Sequence, residues 1–375
     1  MTDLPLSGVT VVDVSRMLPG AVLARSLIDL GARLIKIEDP NAGDLMRLAP
    51  PQVGGVGIGW CTYFRGSESV GLDLRSPDGA AALRLLGARA DVLIESFRPG
   101  TMARYGLALA DLRAHSPRLI TCSLPGFVDS ASVGHDLNFT AMTGLLRRAT
   151  PTGVPSLLFA DITSGLLGCT AILAALLQRA RTGAGVAIDQ PLLAGPLPFV
   201  TWPWAEAAAG GGGMSGRVLG GHAAAYRCYT CADGLELAVG CLEPKFWFAF
   251  AALIGRPELA GVGLDTGPDG ELAIAATQAW LEQHPRAHWL ALIADHALPV
   301  WPVHDLAAAA REPALAPLLA ETPLPDGSTL ALPGPSIPSL GRTPKSPAPA
   351  LGAHTAQVLR EFGAEPDLLA RLAPG

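Results

Sequence analysis

The sequence predicts an α/β protein in which helices cover both faces of a parallel sheet. Short apolar runs rich in β-branched residues recur in the first half of the chain, at 9–14, 34–37, 91–95 and 119–123. Runs of this length and composition are typical of strands that are buried on both faces. Segments with helical spacing lie between them, so strands and helices alternate as they do in a Rossmann-type sheet.

Each element of this first domain has its own sequence signal. The predicted elements, in chain order, are strand 9–14, helix 23–30, strand 34–37, strand 69–74, helix 77–90, strand 91–95 and strand 119–123. Gly31 ends the first helix and Pro77 begins the second, as these residue types do at helix ends. The uncharged stretch Ile162–Gln178, which no other uncharged stretch exceeds in length, falls short of the roughly 20 residues that span a bilayer. We therefore predict a buried helix there and no membrane partner.

The chain changes character after Asp189, which indicates a second domain further on. Proline and glycine are concentrated at 196–216 and again at 323–349, which predicts chain crossings between two domains. We assign residues 1–200 and 330–375 to a Rossmann-like large domain, 201–221 to a linker, and 222–329 to a small α+β domain with the return linker. The remaining predicted elements are strands at 224–229 and 235–239 around an Asp233–Gly234 turn, and helices at 245–254, 272–283 and 354–362.

Composition excludes several classes of protein. The 375 residues are 49% apolar and 16% charged, so the chain can bury a large core. Its net charge of −6 and its scattered Lys and Arg residues argue against nucleic acid as a partner. The start, Met1–Leu6, lacks the basic and apolar regions of a signal peptide, which predicts a cytoplasmic protein. Cys228 and Cys231 are the one close cysteine pair among six, so we expect reduced thiols and no metal site.

The glycine patterns argue against a tightly bound dinucleotide. The turn after the first strand, Ser15–Gly20, lacks the G-x-G-x-x-G pattern that lets a pyrophosphate approach a helix N-terminus. The run Gly210–Gly213 is not followed by the Lys and Ser or Thr of a phosphate-binding loop, and is typical of a flexible connector. We therefore expect no permanently bound cofactor.

Two candidate proton carriers lie in the middle of the large domain. His135 is part of the glycine-led polar stretch Gly134–Phe139, and Asp161 precedes a segment of small residues that predicts a helix start. An imidazole titrates near neutral pH, and a carboxylate in different surroundings can hold the other protonation state, which divides acid and base roles. Taken singly, Asp161 is more readily explained as a helix cap, and His135 as a surface or packing residue.

Further motifs match those of a known family, in the same order, along nearly the whole chain. They are residues 6–13, 29–38, 70–79 (VGLDLRSPDG), 91–100 (DVLIESFRPG), 134–139 (GHDLNF), 161 with the following helix, 233–246 (DGLELAVGCLEPKF) and 349–355 (PALGAHT). On these motifs the chain resembles the family III CoA-transferase superfamily, and within it the 2-methylacyl-CoA racemase branch. The resemblance implies a Rossmann-like large domain, a small domain and an interlocked homodimer.

The resemblance also implies catalytic roles for three residues. Asp161 matches an aspartate that transferases use as a nucleophile and racemases as an acid or base, His135 matches the racemase histidine, and Glu243 matches its accompanying glutamate. Epimerisation beside a thioester requires that a proton leave one face of the carbon and another return to the opposite face, so an acid and a base must flank it. Glu243 is expected to orient His135 and favour its charged form. The implied substrate is an acyl-CoA or other acyl thioester, in which coenzyme A is part of the substrate.

The chain departs from the family where CoA phosphates are expected. Family members usually carry a basic residue where this chain has Asp39, and a second one where it has Ser67 or Glu68. A carboxylate near phosphates is unfavourable, so we predict weaker recognition of the nucleotide, with an acyl-pantetheine or a carrier-protein thioester as a possible substrate. The basic residues that remain as candidate phosphate contacts are Arg98, Arg65, Lys36 and Arg33.

Three functions stay open on the sequence. The pairing of His135 with Asp161 favours an acyl-CoA 2-epimerase. A CoA-transferase would instead move CoA between carboxylic acids through a thioester on Asp161. A homologue could also bind a thioester without turnover.

Overall fold

The computed structural model describes residues 4–128, 132–150 and 152–372. Its chain divides into two compact units: a large unit of Met1–Pro198 and Ala314–Gly375, and a small unit of Phe199–Pro313. The small unit thus begins at Phe199, ahead of the predicted linker at 201–221, and the chain returns to the large unit at Ala314, ahead of the predicted residue 330. Residues 1–3, on which part of the signal-peptide argument depends, lie outside the described residues.

The large unit is built on a sheet of six parallel strands, which confirms the predicted α/β class. The strands are β1 Thr10–Asp13, β2 Arg33–Glu38, β3 Glu68–Gly71, β4 Val92–Glu95, β5 Ile120–Ser123 and β6 Ala187–Asp189. Their spatial order is β3-β2-β1-β4-β5-β6, which is the order of Rossmann-type folds. The direction of strand addition reverses between β1 and β4. In such sheets, ligands bind outside the carboxyl ends of the strands at this reversal.

Helices cover both faces of the sheet. In chain order the helices of the protein are α1 Met17–Asp29, α2 Ile58–Tyr63, α3 Pro77–Gly87, α4 Thr101–Arg104, α5 Leu109–His115, α6 Asp136–Met142, α7 Leu145–Ala149, α8 Phe159–Thr182, α9 Leu197–Ala208, α10 Pro244–Leu253, α11 Pro268–Leu281, α12 Arg286–Ile293, α13 Leu306–Ala309, α14 Thr355–Glu361 and α15 Pro366–Leu372. Val11 and Ile94 belong to one buried cluster, whereas Val12 and Leu93 belong to another. Alternate strand residues thus feed a core on each face.

The long helix α8 packs against α1, and glycines let the two approach closely. A Cβ atom at Gly165 would lie 2.6 Å from the carbonyl oxygen of Pro19. The buried residues of α8 form one stripe, whereas Leu166 and Leu177 are exposed, so the helix that was predicted to be buried is buried on one side. In the described part of the chain, α8 is the one helix with the length and apolarity of a membrane span, a property that core helices of soluble proteins share.

The small unit contains both helices and antiparallel strands. Its antiparallel strands are β7 Tyr226–Thr230, β8 Glu236–Gly240 and β9 Val300–Pro302, in the order β9-β8-β7. The predicted turn joins β7 to β8, and Gly234 there has a φ of 74°, which glycine adopts without a steric penalty. The core of this unit includes Trp247, Phe250 and Trp289.

Two segments predicted as irregular crossings contain regular structure. Residues 197–208 form α9 with Pro203 inside it, so the predicted linker at 201–221 is wrong over its first part. The return segment forms a hairpin of β10 Leu319–Pro323 and β11 Thr329–Pro333 within the large unit. Proline density misleads here because one proline removes only one helical hydrogen bond, and the surrounding apolar and Ala-rich residues of α9 favour a helix.

Candidate active site

A cavity of about 290 Å³ at the carboxyl end of the large unit's sheet brings several predicted site residues together. We call it the His135 cavity, and its lining includes Arg16, Phe97, Arg98, His135 and Asp161. Arg16 follows β1, and Phe97 and Arg98 follow β4, so the cavity lies at the point where strand addition reverses. Residues that are distant in sequence therefore meet where this fold places its ligands.

His135 is held at the start of α6. Its backbone N–H donates to Oδ1 of Asn138 at 3.0 Å, and the N–H of Asn138 donates to the carbonyl oxygen of His135 at 2.8 Å. Phe139, one turn further on, is fully buried and makes an edge-on contact with Phe127, with 5.3 Å between the ring centroids. A capped and anchored helix start thus fixes the backbone of His135, while its side chain remains exposed at the cavity.

Asp136 ties the His135 loop to the helix that carries Asp161. Its carboxylate accepts hydrogen bonds from the backbone N–H of Asp161 at 3.0 Å and from Oγ1 of Thr140 at 3.3 Å. Asp136 therefore satisfies a free N–H group of α8, and Asp161 lies in the first turn of that helix, after the cap. The simpler interpretation of Asp161 as a helix cap is wrong. The sequence motif contained Asp136, but its linking role depends on contacts that sequence does not show.

The surroundings of Asp161 favour its neutral form. Burial raises the pKa of its carboxyl group to about 6; the charge of Asp136 acts in the same direction, and His135 opposes it. The carboxyl group makes no hydrogen bond with any described residue. A carboxyl group that titrates near neutral pH in a cavity is suited to acid and base catalysis, so its environment supports a chemical role.

Arg98 is the predicted phosphate contact that the structure leaves open to a ligand. Its side chain is exposed, lines the His135 cavity, and forms no hydrogen bond or ion pair with the described residues. Arg16 lines the same cavity, with its guanidinium carbon 5.1 Å from the centre of the Phe97 ring. Sequence reasoning missed Arg16, although its position directly after the first strand could have indicated it. Together the two cations suit a phosphate or carboxylate ligand.

Met17 adds a conformational feature to this site. It lines the His135 cavity and has a φ of 61°, the one positive value among described residues other than glycine. Its backbone N–H points towards Oδ2 of Asp44 at 3.4 Å. Such backbone conformations cost free energy and are concentrated at functional sites, which agrees with the placement of the cavity.

Glu243 lies in the small unit. It is exposed and occupies the position before α10, which begins at Pro244. Its predicted pairing with His135 stays a prediction. Among the described residues, no group of three His, Cys, Asp or Glu side chains has the arrangement of a metal site.

Two basic residues predicted to contact phosphates are instead buried in the large unit. Lys36 lies in β2, and its Nζ donates to Oδ2 of Asp13 at 3.1 Å. Arg65 is fully buried and donates to Oγ1 of Thr322 and to the carbonyl oxygen of Pro333. Neither side chain lines a cavity at the carboxyl edge of the sheet, so the prediction of a phosphate contact is wrong for both.

Arg33 is also occupied within the chain. It lies at the start of β2, away from the carboxyl ends where the cavities open, and forms ion pairs with Glu68 at 2.6 Å and with Glu361. The predicted phosphate contact is therefore wrong for Arg33 as well. Ser67 is buried, and its hydroxyl donates to the carbonyl oxygen of Phe64. Of the predicted departures from the family, Ser67 and Glu68 thus lie outside the cavities.

Asp39 does line a cavity. This second cavity, of about 230 Å³, lies at the carboxyl ends of β1, β2 and β3 and shares Arg16 and Phe97 with the first. We call it the Asp39 cavity. It also includes Arg75, a cation that the sequence analysis missed although it lies in a quoted motif.

A third cavity, of about 440 Å³, adjoins the first through shared residues Phe97 and Arg98. Its lining is mainly apolar and includes Met102, Leu109 and Phe127. The carboxyl edge of the sheet therefore brings together His135, Asp161, the cation of Arg98 and an apolar space.

The fold and this site agree with membership of one enzyme family. The sequence model of "CoA-transferase family III" matches residues 6–355, and the chain belongs to this family. Alpha-methylacyl-CoA racemase of Homo sapiens is 32% identical, over 96% of this chain and 94% of its own. The succinyl-CoA--L-malate CoA-transferase beta subunit of Chloroflexus aurantiacus is 31% identical, over 96% of this chain and 95% of its own. A CAIB/BAIF family protein from Brucella suis has a similar structure, with a TM-score of 0.80, 28% identity, and coverage of 96% of this chain and 100% of that one.

The protein is therefore an enzyme of the family III CoA-transferase and racemase type. Relatives of both kinds match at about the same identity, so the reaction has to be argued from the site.

Proposed function

We propose that the protein is an acyl-CoA racemase that inverts the 2-position of a branched acyl thioester. The observation that carries the proposal is that His135 and Asp161 line one cavity beside the free cation of Arg98. Inversion next to a thioester requires two proton carriers, one deprotonated and one protonated, on opposite faces of the carbon.

In the proposed reaction, one proton leaves C2 from one face and another proton is added to the opposite face. One group of the pair takes the proton as the C2–H bond breaks, and the electron pair delocalises onto the thioester oxygen. The other group then gives its proton to the opposite face of C2, and the thioester regains its carbonyl group. Because the pKa of Asp161 is raised to about 6, both of its forms are accessible near neutral pH, so it can act as base in one direction and as acid in the other.

The neighbouring groups support the binding of a thioester. Arg98 and Arg16 suit the phosphates or the carbonyl oxygen of the substrate, and the apolar cavity lined by Met102 and Phe127 suits an acyl or pantetheine chain. Coenzyme A enters this scheme as part of the substrate. Glu243, carried over from the resemblance, would orient His135.

An interlocked homodimer completes the proposal. Helix α8 carries exposed apolar residues such as Leu166 and Leu177, which a second subunit would cover. Sedimentation equilibrium should give a dimer at all concentrations at which the protein remains folded. An active monomer that forms on dilution would contradict this part of the proposal. A cytoplasmic location without membrane or nucleic-acid partners remains part of the same proposal.

The second candidate is a CoA-transferase with Asp161 as nucleophile. The carboxyl group of Asp161 makes no hydrogen bond with the described residues and lines the cavity, so it is also free to attack a thioester. That attack would form a thioester between Asp161 and CoA and release the first carboxylic acid. The transferase relative from Chloroflexus favours keeping this alternative.

The test compares the two reactions in the same preparations. Wild-type protein with a 2-methylacyl-CoA in deuterated water should exchange the proton at C2, observed by NMR, without an added acid acceptor. His135→Ala should reduce this exchange by roughly 10²–10⁴-fold, whereas the control His115→Ala, an exposed histidine of α5, should not. If CoA moves readily between two carboxylic acids, exchange is absent and His135→Ala retains transfer, the enzyme is a transferase. Asp161→Asn should abolish either reaction and does not separate them.

A further inference from the structure

Three charged residues of the large unit are buried with side-chain atoms that have no partner. Arg25 and Asp29 lie in α1, and Arg65 lies two residues after α2. Among the described residues, Nη1 and Nη2 of Arg25, Oδ1 of Asp29 and Nε of Arg65 are buried and form no hydrogen bond. We call these three residues the Arg25 cluster. Buried polar groups of native proteins are nearly always hydrogen-bonded, and an unbonded one indicates a water molecule or an ion.

The hydrogen bonds that the cluster does make leave most of its charge unpaired. Nε of Arg25 donates to Oδ2 of Asp29 at 2.8 Å, which is the one ion pair of the cluster. Arg65 donates to Oγ1 of Thr322 in β10 and, at 3.2 Å, to the carbonyl oxygen of Pro333 in β11. Both of these hydrogen-bond partners of Arg65 are neutral. One carboxylate therefore serves two guanidinium groups.

The cluster has an excess of positive charge. Burial, and after it the charge of Arg25, lower the pKa of Arg65 to about 10, so both arginines are charged at neutral pH. The ionisable side chains of the described residues that shift the pKa of either arginine are Arg25, Asp29 and Tyr63. Burial raises the pKa of Tyr63, which keeps its hydroxyl neutral. Two cations and one carboxylate leave one positive charge in the interior.

An anion explains this arrangement better than water alone. Water molecules would accept hydrogen bonds from the free N–H groups, but they would not neutralise the charge. An uncompensated buried charge is strongly destabilising. The carboxyl end of α1 adds roughly half a negative charge at most, which does not offset the excess. An anion would accept hydrogen bonds from Arg25 and Arg65 and would also supply the missing charge.

We propose that the Arg25 cluster encloses a small monovalent anion of the halide class, such as chloride. The exposed fractions of Arg25, Asp29 and Arg65 are 7%, 2% and 0%, so the ligand has to be small enough to be enclosed. The excess of one positive charge calls for a single negative charge. A water molecule beside the anion would donate to it and to Oδ1 of Asp29. The anion would fasten the β10–β11 hairpin, through Arg65, to α1.

This site is separate from the candidate active site. Arg25 and Asp29 belong to the second half of α1, whereas Met17 and Pro19, which line the His135 cavity, lie at its start. The inference therefore does not depend on the proposed function.

Crystals of the full-length protein grown in sodium bromide test the site directly, because bromide replaces chloride and scatters anomalously. We expect an anomalous peak within hydrogen-bond distance of the guanidinium groups of Arg25 and Arg65. Ordered water at this position without an anomalous peak would overturn the inference. Anomalous peaks at the protein surface alone would also overturn it.

Urea denaturation in sodium chloride provides a second measurement. The ionic strength is held constant with sodium gluconate, whose anion is too large to be enclosed. A site that is filled only in the folded chain lowers the equilibrium constant for unfolding by about tenfold for each tenfold rise in chloride above the dissociation constant. We expect this dependence for the wild-type protein. An unfolding constant that does not change with chloride would contradict the proposal.

Substitutions in the cluster should change the chloride dependence in opposite directions. Arg25→Met leaves Arg65 and Asp29 as a neutral pair, so the dependence should disappear. Asp29→Asn removes the repelling carboxylate, so chloride affinity should rise by about tenfold or more. The control Arg371→Met removes an exposed arginine that pairs with Asp78, and it should leave the dependence unchanged.

The chloride dependence is measured within each preparation, so a general loss of stability in a variant does not affect it. If Arg25→Met does not fold, Asp29→Asn still decides the question. Chloride affinity that equals the wild-type value in either cluster variant would overturn the inference.

Discussion

The Asp39 cavity and the His135 cavity share Arg16 and Phe97, yet their polar groups are used in opposite ways. Around the Asp39 cavity, charged side chains bind each other: Glu38 is held by Arg47, and Lys36 by Asp13. Around the His135 cavity, Arg98 and Asp161 have no side-chain hydrogen bond within the described chain.

This difference separates charges that hold the fold from charges that are available for a ligand. A buried charge without a partner lowers the free energy of unfolding, so the fold alone gives no reason to leave Asp161 in that state. Groups left unsatisfied at a cavity are therefore the better guide to chemistry. Asp39 is intermediate, since its Oδ1 accepts two backbone hydrogen bonds within the chain, whereas its Oδ2 lies 3.6 Å from Nη2 of Arg75.

The largest expected effect is the loss of stability when the buried ion pair between Lys36 and Asp13 is removed. Lys36→Ala would leave Asp13 buried without its ion pair, and the free energy of unfolding should fall by about 3–5 kcal/mol. Urea denaturation measures this change. The exposed Lys345 provides the control, and Lys345→Ala should change stability by less than about 0.5 kcal/mol. A loss below about 1 kcal/mol for Lys36→Ala would show that this ion pair contributes little to the stability of the fold.

Substitution of Arg98 should weaken ligand binding and leave stability nearly unchanged. Arg98→Ala should weaken binding of an acyl-CoA by about 10–100-fold, since hydrogen bonds to charged groups contribute about 1.5–3 kcal/mol. Its free energy of unfolding should stay within about 0.5 kcal/mol of wild type. Calorimetric titration and urea denaturation of the same preparations measure the two effects. Unchanged affinity together with reduced stability would mean that Arg98 stabilises the fold and does not bind the ligand.

The ionised carboxyl group of Asp161 should lower the free energy of unfolding, by an amount that depends on pH. Its folded pKa of about 6 exceeds the ordinary value of about 3.9. The contribution of Asp161 to the free energy of unfolding therefore falls as the pH rises through this interval. Above the interval, the whole loss is present. Asp161→Asn should raise the free energy of unfolding at pH 8 by about 1–2 kcal/mol, a value reduced for partial exposure, and should give little gain at pH 4.

Denaturation at the two pH values measures this difference. The exposed control Asp111→Asn should show no such dependence on pH. An Asp161→Asn gain of equal size at pH 4 and pH 8 would contradict the raised pKa.

The smallest expected effect is a shift in a pH profile. Asp136 raises the pKa of Asp161, so Asp136→Asn should lower it and move the acidic limb of kcat/KM to lower pH. The limb should stay above the ordinary carboxyl range, because burial is the larger cause. The asparagine keeps an oxygen for the backbone N–H of Asp161. A limb that does not move, in an enzyme of otherwise normal activity, would mean that Asp161 is not the titrating group.

Much of the large unit could be predicted because the relevant signals are local. The strand predicted at 34–37 is observed as Arg33–Glu38, and the helix predicted at 77–90 as Pro77–Gly87. The pairing of Lys36 was missed, although it lies beside Asp13 in the parallel register of β1 and β2. A lysine between Ile35 and Ile37 in a strand covered on both faces has no route to solvent, which could have indicated a buried ion pair.

The parts of the site that were missed depend on contacts between distant segments. Arg33 is occupied by Glu361 from the end of the chain, and Arg65 by Thr322 from the return segment. Neither pairing has a signal in the local sequence. The meeting of His135 with Asp161 was predicted from residue chemistry and family motifs, and the His135 cavity agrees with it.

The central claim is that Asp161 and His135 pass protons through opposite faces of one carbon. The most direct measurement starts separately from the 2R and 2S forms of a 2-methylacyl-CoA in deuterated water and follows configuration and deuterium content at C2 together. The account predicts that each form gives the other, that the inverted product carries deuterium at C2, and that both runs approach the same mixture. Recovery of each form with its configuration and its C2 proton unchanged, while CoA transfers to an added carboxylic acid, would contradict it.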